Sequence, residues 1–222
     1  MGRFITFEGS EGSGKSTQIG LAEDWLKRRG LAVIATAEPG GTPLGRKIRE
    51  ILLNRGASPI GAEAELLLFA AARAQHVRET ILPALRAGQW VLCDRFADAT
   101  LAYQGSGRGL DAAFIGTLNA FSAGSLVPDL TLLFDLPVEV GLVRARQRAA
   151  GRGPETAEDR FEQEDSEFHR RVRAGYLALA AAETARFRII DAAADVETVH
   201  AAVGRCLEAL AGPSPAGGRR AP

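Results

Sequence analysis

Net charge is what this 222-residue chain lacks first: 27 lysines and arginines are balanced by 27 aspartates and glutamates. No overall field draws it onto nucleic acid or an anionic membrane, so any anion site must be built from a local cluster. Cysteine is scarce as well. Cys93 and Cys206 have no metal-ligand spacing and are expected to be reduced thiols of a cytoplasmic protein, Cys93 packing as a small apolar residue. Long uncharged runs are missing too: Arg3 and Glu8 bracket only a short apolar stretch, so neither a leader nor a membrane span is expected. There is no internal repeat and no N-K-x-D guanine-reading motif. The three histidines, His76, His169 and His200, are scattered over expected helices and read as surface or boundary residues.

What is present is a glycine-rich loop. Gly9-Ser10-Glu11-Gly12-Ser13-Gly14-Lys15-Ser16 follows an alternating apolar run, Phe4-Ile5-Thr6-Phe7, and precedes helix-forming residues. Glycines let successive N–H groups turn toward phosphate oxygens, and the following helix adds its positive end. Lys15 would reach the β- and γ-phosphates of a nucleotide and the Ser16 hydroxyl would ligate Mg²⁺, so residues Gly9 to Ser16 with Thr17 form the expected nucleotide-phosphate site, which the family resemblance below assigns to ATP.

The rest of the chain reads as α/β. Short apolar runs at 31–36, 90–93, 130–136 and 187–190 alternate with helical patterns at 16–29, 43–53, 62–85, 111–121, 138–149, 158–183 and 196–210. A five-stranded parallel sheet flanked by helices follows, within one domain spanning 1–211 and ending in a disordered tail, 212–222. Asp94 closes the third strand, at the edge where ligands of parallel sheets collect. It reads as a Mg²⁺ or water-shell carboxylate, or else as a helix N-cap. Phe69 and Arg73 are four apart on one helical face, and Thr100 and Tyr103 three apart on another. Residues 144–154 hold four arginines and no acid, including the glycine-flanked Arg152, and suggest a mobile lid over about 144–159 that carries positive charge to transferring phosphates.

Placed in order, five segments resemble the thymidylate kinase family: the F-E-G-x-E-G-x-G-K-S loop, Glu38-Pro39-Gly40-Gly41-Thr42, Leu68 to Gln75, Asp94-Arg95-Phe96, and Thr100 to Gly105. The resemblance runs from about Arg3 to about Leu210. It implies a nucleoside monophosphate kinase that makes dTDP from dTMP and ATP with Mg²⁺, and a homodimer, with the helices around Leu66 and Phe114 as candidate apolar faces. By position it implies that Phe69 stacks on thymine, Arg73 donates to its O4, Thr100 touches the base, and Tyr103 packs under the deoxyribose where a 2′-hydroxyl would sit. Glu11 would receive the 3′-hydroxyl, and Arg49 and Arg95 would clamp the acceptor phosphate, a task suited to a planar guanidinium. Glu38 and Gln104 fall in the same acceptor-side motifs.

Two departures matter. Ala37 stands where the family commonly has arginine before Glu-Pro-Gly-Gly-Thr, and the lid looks longer than that of bacterial relatives. With Ser13 and no arginine inside the loop, the chain resembles the bacterial subtype whose catalytic arginine comes from the lid, which leaves Arg146, Arg148 and Arg152 as candidates. The acceptor is already an anionic oxygen, so catalysis would be positioning and charge neutralisation shared by Lys15, Arg95 and a lid arginine. The rivals are another nucleotide or nucleoside kinase and, from a different class, a nucleotide-dependent switch. Against the switch, Asp94 is followed by Arg-Phe-Ala rather than by x-x-Gly.

Overall fold

In a computed structural model, which describes residues 2–54, 59–150 and 160–211, strands β1 (Phe4–Glu8), β2 (Val33–Ala37), β3 (Trp90–Asp94), β4 (Leu130–Asp135) and β5 (Phe187–Asp191) form one parallel sheet in the order β2-β3-β1-β4-β5. Helices α1 (Lys15–Arg28), α2 (Pro43–Leu53), α3 (Ala62–His76), α4 (Leu82–Arg86), α5 (Ala97–Thr100), α6 (Ala112–Ala123), α7 (Val138–Ala150), α8 (Ser166–Ala182) and α9 (Val196–Ala211) connect and cover it. The expected fold class holds.

Every residue of β1 is buried, because helices cover both faces of a parallel sheet. On one face Ile5, Phe7, Leu132 and Phe134 pack against Ile19 and Leu26 of α1 and Val203 and Leu207 of α9. On the other, Leu133 meets Tyr103, Phe168, Val172 and Tyr176, while Phe4, Val91 and Cys93 meet Val77, Ile81 and Phe96. Cys93 is thus the small core residue its surroundings suggested. After β3 the chain passes across β1 to β4, so the carboxyl ends of β1 and β3 open into a crevice. Phe7 pairs with Asp94, setting that carboxylate beside the start of the glycine-rich loop.

Three expectations need correction. The helix expected over 62–85 is interrupted by a wide turn, Val77–Ile81, in which the Leu82 N–H reaches back to the Val77 carbonyl. Pro83 lacks an N–H and its ring crowds the carbonyl four residues earlier, which the wider turn relieves. The helix expected over 158–183 is instead a 3₁₀ turn, Arg160–Gln163, followed by α8. Asp165 accepts a hydrogen bond from the Phe168 N–H at 2.7 Å and so starts a new helix. His76 and His169 are each 1% exposed and belong to the interior, not to the surface. Leu66 is likewise buried, whereas its neighbour Leu67 and Phe114 face outward. The tail at 212–222 and the lid residues 151–159 lie outside the described residues.

Candidate active site

The loop after β1 is shaped by close approach. Gly12 has φ +71°, and a Cβ there would come within 2.1 Å of the Gly141 carbonyl oxygen, so only glycine lets the loop lie against α7. Gly14, also left-handed, enters α1 without a side-chain cap, leaving that helix's first N–H groups to a ligand. Lys15 is buried, its Nζ donating to the carbonyls of Gly9 and Ser10, each at 3.0 Å, and to Ser13 Oγ at 3.3 Å. Burial, reinforced by the Arg95 charge, lowers its pKa to about 8. Residues 11–17 line a cavity of about 1090 Å³, while Gly9 and Ser10 sit beneath it and hold the lysine.

Ser16 Oγ donates to Asp94 Oδ2 at 3.3 Å. Asp94 Oδ1 is buried with no hydrogen-bond partner among the described residues. The N-cap alternative for Asp94 does not hold, since Phe96 occupies that position of α5. A hydroxyl beside an orphaned carboxylate oxygen at the phosphate cradle fits a hard divalent cation whose other ligands would be phosphate oxygens and water.

At the other end of the same cavity stand Phe69, Arg73, Thr100 and Tyr103. Arg73 is 1% exposed and nearly fully engaged. Its Nε donates to Glu38 Oε2 at 2.8 Å, Nη1 to Asn119 Oδ1 at 2.6 Å, and Nη2 to the Phe96 carbonyl at 3.1 Å and Thr100 Oγ1 at 2.8 Å. One Nη1 N–H is left over among the described residues. Glu38 also bonds His76 Nδ1 at 2.9 Å, whose Nε2 meets Thr36 Oγ1 at 2.7 Å, so a buried chain runs from β2 to the guanidinium. The His76 ring leaves no room for a Cβ at Gly41, which would fall 2.2 Å away. Phe69 is half-buried, with the Phe161 ring 6.1 Å from it and 5.7 Å from Tyr103.

Between the two ends lies Arg95. Its Nη2 donates to Glu11 Oε1 at 2.6 Å, and the Tyr103 hydroxyl donates to the same oxygen at 3.0 Å. Burial alone would raise the Glu11 carboxyl, but Arg95 and then Lys15 outweigh it and bring it to about 2. Arg49 lines the cavity and donates to the Pro39 carbonyl at 3.0 Å. Gln104 is 1% exposed and donates to Glu65 at 2.7 Å, its side chain spent on the wall.

The lid candidates separate. Arg148 lines the cavity and donates to Glu162 Oε1 at 2.7 Å; Arg146 is exposed on α7 outside the lining; Arg152 lies outside the described residues. Arg144 donates to the Ala192 and Ala193 carbonyls at 2.8 and 3.3 Å and pins α7 to the chain after β5. Sequence reasoning missed Glu8, Arg46, His76, Asn119, Phe161, Glu162 and Tyr176. Two had a signal: the chain has only two tyrosines and both reach the site, and Glu8 is an acid at the end of an otherwise apolar strand. Arg46 lines the cavity together with Ala37, at which no cation stands.

Sheet order, loop and two-ended cavity together place the chain among the P-loop phosphotransferases. A model of the thymidylate kinase family matches residues 7–203, and the chain belongs to that family. It is 60% identical over 210 residues to the thymidylate kinase of Syntrophus aciditrophicus, covering 95% of this chain and 96% of that protein. It is 54% identical over 207 residues to the thymidylate kinase of Desulfovibrio desulfuricans, covering 93% and 94%. A crystal structure of thymidylate kinase from Ehrlichia chaffeensis matches with a TM-score of 0.73 at 33% identity, over 93% of this chain and 99% of that one.

Proposed function

We infer that the protein transfers the γ-phosphoryl group of ATP in line to the 5′-phosphate of dTMP, giving dTDP and ADP. The observation that carries this reading is a single cavity with Lys15 and the loop amides at one end and Phe69 and Arg73 at the other. A donor triphosphate and an acceptor nucleotide can meet there end to end. The aromatic face of Phe69 suits a base, and the remaining Nη1 N–H of Arg73 is the donor its carbonyl would take. Tyr103, whose hydroxyl donates to Glu11, would pack under the deoxyribose where a 2′-hydroxyl would sit.

The acceptor oxygen is anionic, so no strong general base is required; Lys15, the loop N–H groups and Arg95 neutralise charge and align the reactants. Ser16 and Asp94 would hold Mg²⁺, which when bound neutralises charge on the β- and γ-phosphate oxygens. One arginine of Arg146, Arg148 and Arg152 would complete this set from the lid; of the two that are described, Arg148 stands in the cavity wall. We take residues 1–211 as one catalytic domain, since all five strands belong to one sheet. A homodimer is proposed on exposed Leu67, Phe114 and Phe121 of the adjoining helices α3 and α6. A cytoplasmic location is proposed on the two free thiols, Cys93 and Cys206; among the described residues no helix is long and apolar enough to cross a membrane.

The test is ADP release with ATP and Mg²⁺ against a panel of nucleoside monophosphates and nucleosides. The expected result is turnover that depends on dTMP and falls steeply for ribonucleotides. Slow hydrolysis indifferent to the acceptor would replace the kinase by a switch.

A further inference from the structure

Arg95 has φ +67°, in the left-handed region that side chains other than glycine adopt only when their surroundings hold them there. The Arg95 N–H donates to the Phe7 carbonyl at 3.0 Å, and the next N–H, of Phe96, donates to Glu8 Oε1 at 2.7 Å. The other oxygen of Glu8 accepts the Tyr176 hydroxyl at 2.7 Å, and that same hydroxyl accepts from Arg95 Nη1 at 3.1 Å. Glu8 is wholly buried and Tyr176 is 1% exposed. The one carboxyl group of Glu8 thus closes a ring through Phe96, Arg95 and Tyr176 that fixes both the backbone and the head group of the arginine.

The remaining contacts say what this ring aims at. Nη1 also donates to the Gly9 carbonyl at 2.9 Å, Nη2 gives one N–H to Glu11, and the guanidinium lies 4.8 Å from the Tyr103 ring centre. Among the described residues, Nε–H and one N–H of Nη2 stay uncommitted in a side chain that lines the cavity. Nε and Nη2 share one edge of the planar guanidinium, the fork that takes two oxygens of one phosphate. A tyrosine serving only to fill the core between Tyr103, Phe168 and Val172 would need no bond on both sides of its hydroxyl.

We propose that Tyr176 and Glu8 are positioning residues for the acceptor phosphate: through their shared hydrogen bond they set the orientation of Arg95, leaving its Nε–Nη2 edge to the phosphate of the nucleotide being phosphorylated. The proposal rests on Arg95 being the acceptor-phosphate clamp of the function proposed above.

Tyr176→Phe removes the hydroxyl and keeps the ring. It is expected to raise KM for dTMP about tenfold while KM for ATP stays within about twofold. In an Arg95→Ala background, the same substitution is expected to leave dTMP affinity, measured by equilibrium binding, unchanged, which a packing role would not produce. Glu8→Gln, close in size and still able to accept from the Phe96 N–H, is expected to show the same split and carries the test if Tyr176→Phe does not fold. An unaltered KM for dTMP, an equal rise for ATP, or an effect that persists without Arg95 would overturn the positioning role. Failure of the wild-type protein to turn over dTMP would overturn the function itself and this proposal with it.

Discussion

The two ends of the cavity are held by opposite kinds of structure. The donor end is one run of chain, residues 9–17, shaped by left-handed glycines, and its cation bonds carbonyls only five and six residues away. The acceptor end gathers side chains from α3, α5, α6 and the segments after β2 and β3, with Arg73 alone bonding partners 23 to 46 residues distant. Charge for a phosphate can be delivered by local backbone. In the proposed function a base would be recognised by buried, mutually bonded side chains, so at that end binding and folding would share the same atoms.

Removing one residue from each end separates the two designs. Lys15→Ala should lower turnover about a thousandfold, as loss of a preorganised electrostatic donor does. Its unfolding free energy should change by about 1 kcal/mol or less, because a buried ammonium with a depressed pKa is itself costly to hold. Stopped assays and denaturant titration read the two effects.

Arg73→Met should do the reverse. It leaves the 4%-exposed Glu38 carboxylate without its guanidinium, and about 3 kcal/mol of stability should be lost in denaturant unfolding along with dTMP binding. A stable Arg73→Met protein that merely binds dTMP poorly would erase the contrast between the ends.

The smallest effect sharpens the comparison. Phe69 is half-buried and among the described residues makes packing contacts only, so Phe69→Leu, which keeps an apolar side chain there, should raise KM for dTMP about fivefold with a stability loss of about 1 kcal/mol or less, through loss of the ring face. Substrate titration at saturating ATP checks it.

How far each end could be read in advance follows the same division. The loop was legible residue by residue, since Gly12, Gly14 and Lys15 act through their own backbone conformation and near neighbours. Phe69, Arg73, Thr100 and Tyr103 were legible as pairs on helical faces and through family resemblance. That Arg73 would be almost fully engaged was not, because its partners lie on other elements. His76 looked like a boundary residue because nothing local says that Glu38 and Thr36 will meet its two ring nitrogens. The wide turn at Val77–Ile81 was signalled by Pro83 but not located by it.

Local composition was enough for the parallel α/β class, the cradle for phosphate and the absence of any global charge that would attract a polymer, because backbone propensity, glycine freedom and net charge act over a few residues or over all of them. The bonded ring through Glu8 and Tyr176, the engagement of Arg73 and the Arg148 to Glu162 pair came only from the folded chain. Each depends on directional contacts between residues 14 to 168 positions apart, which short-range pattern does not encode.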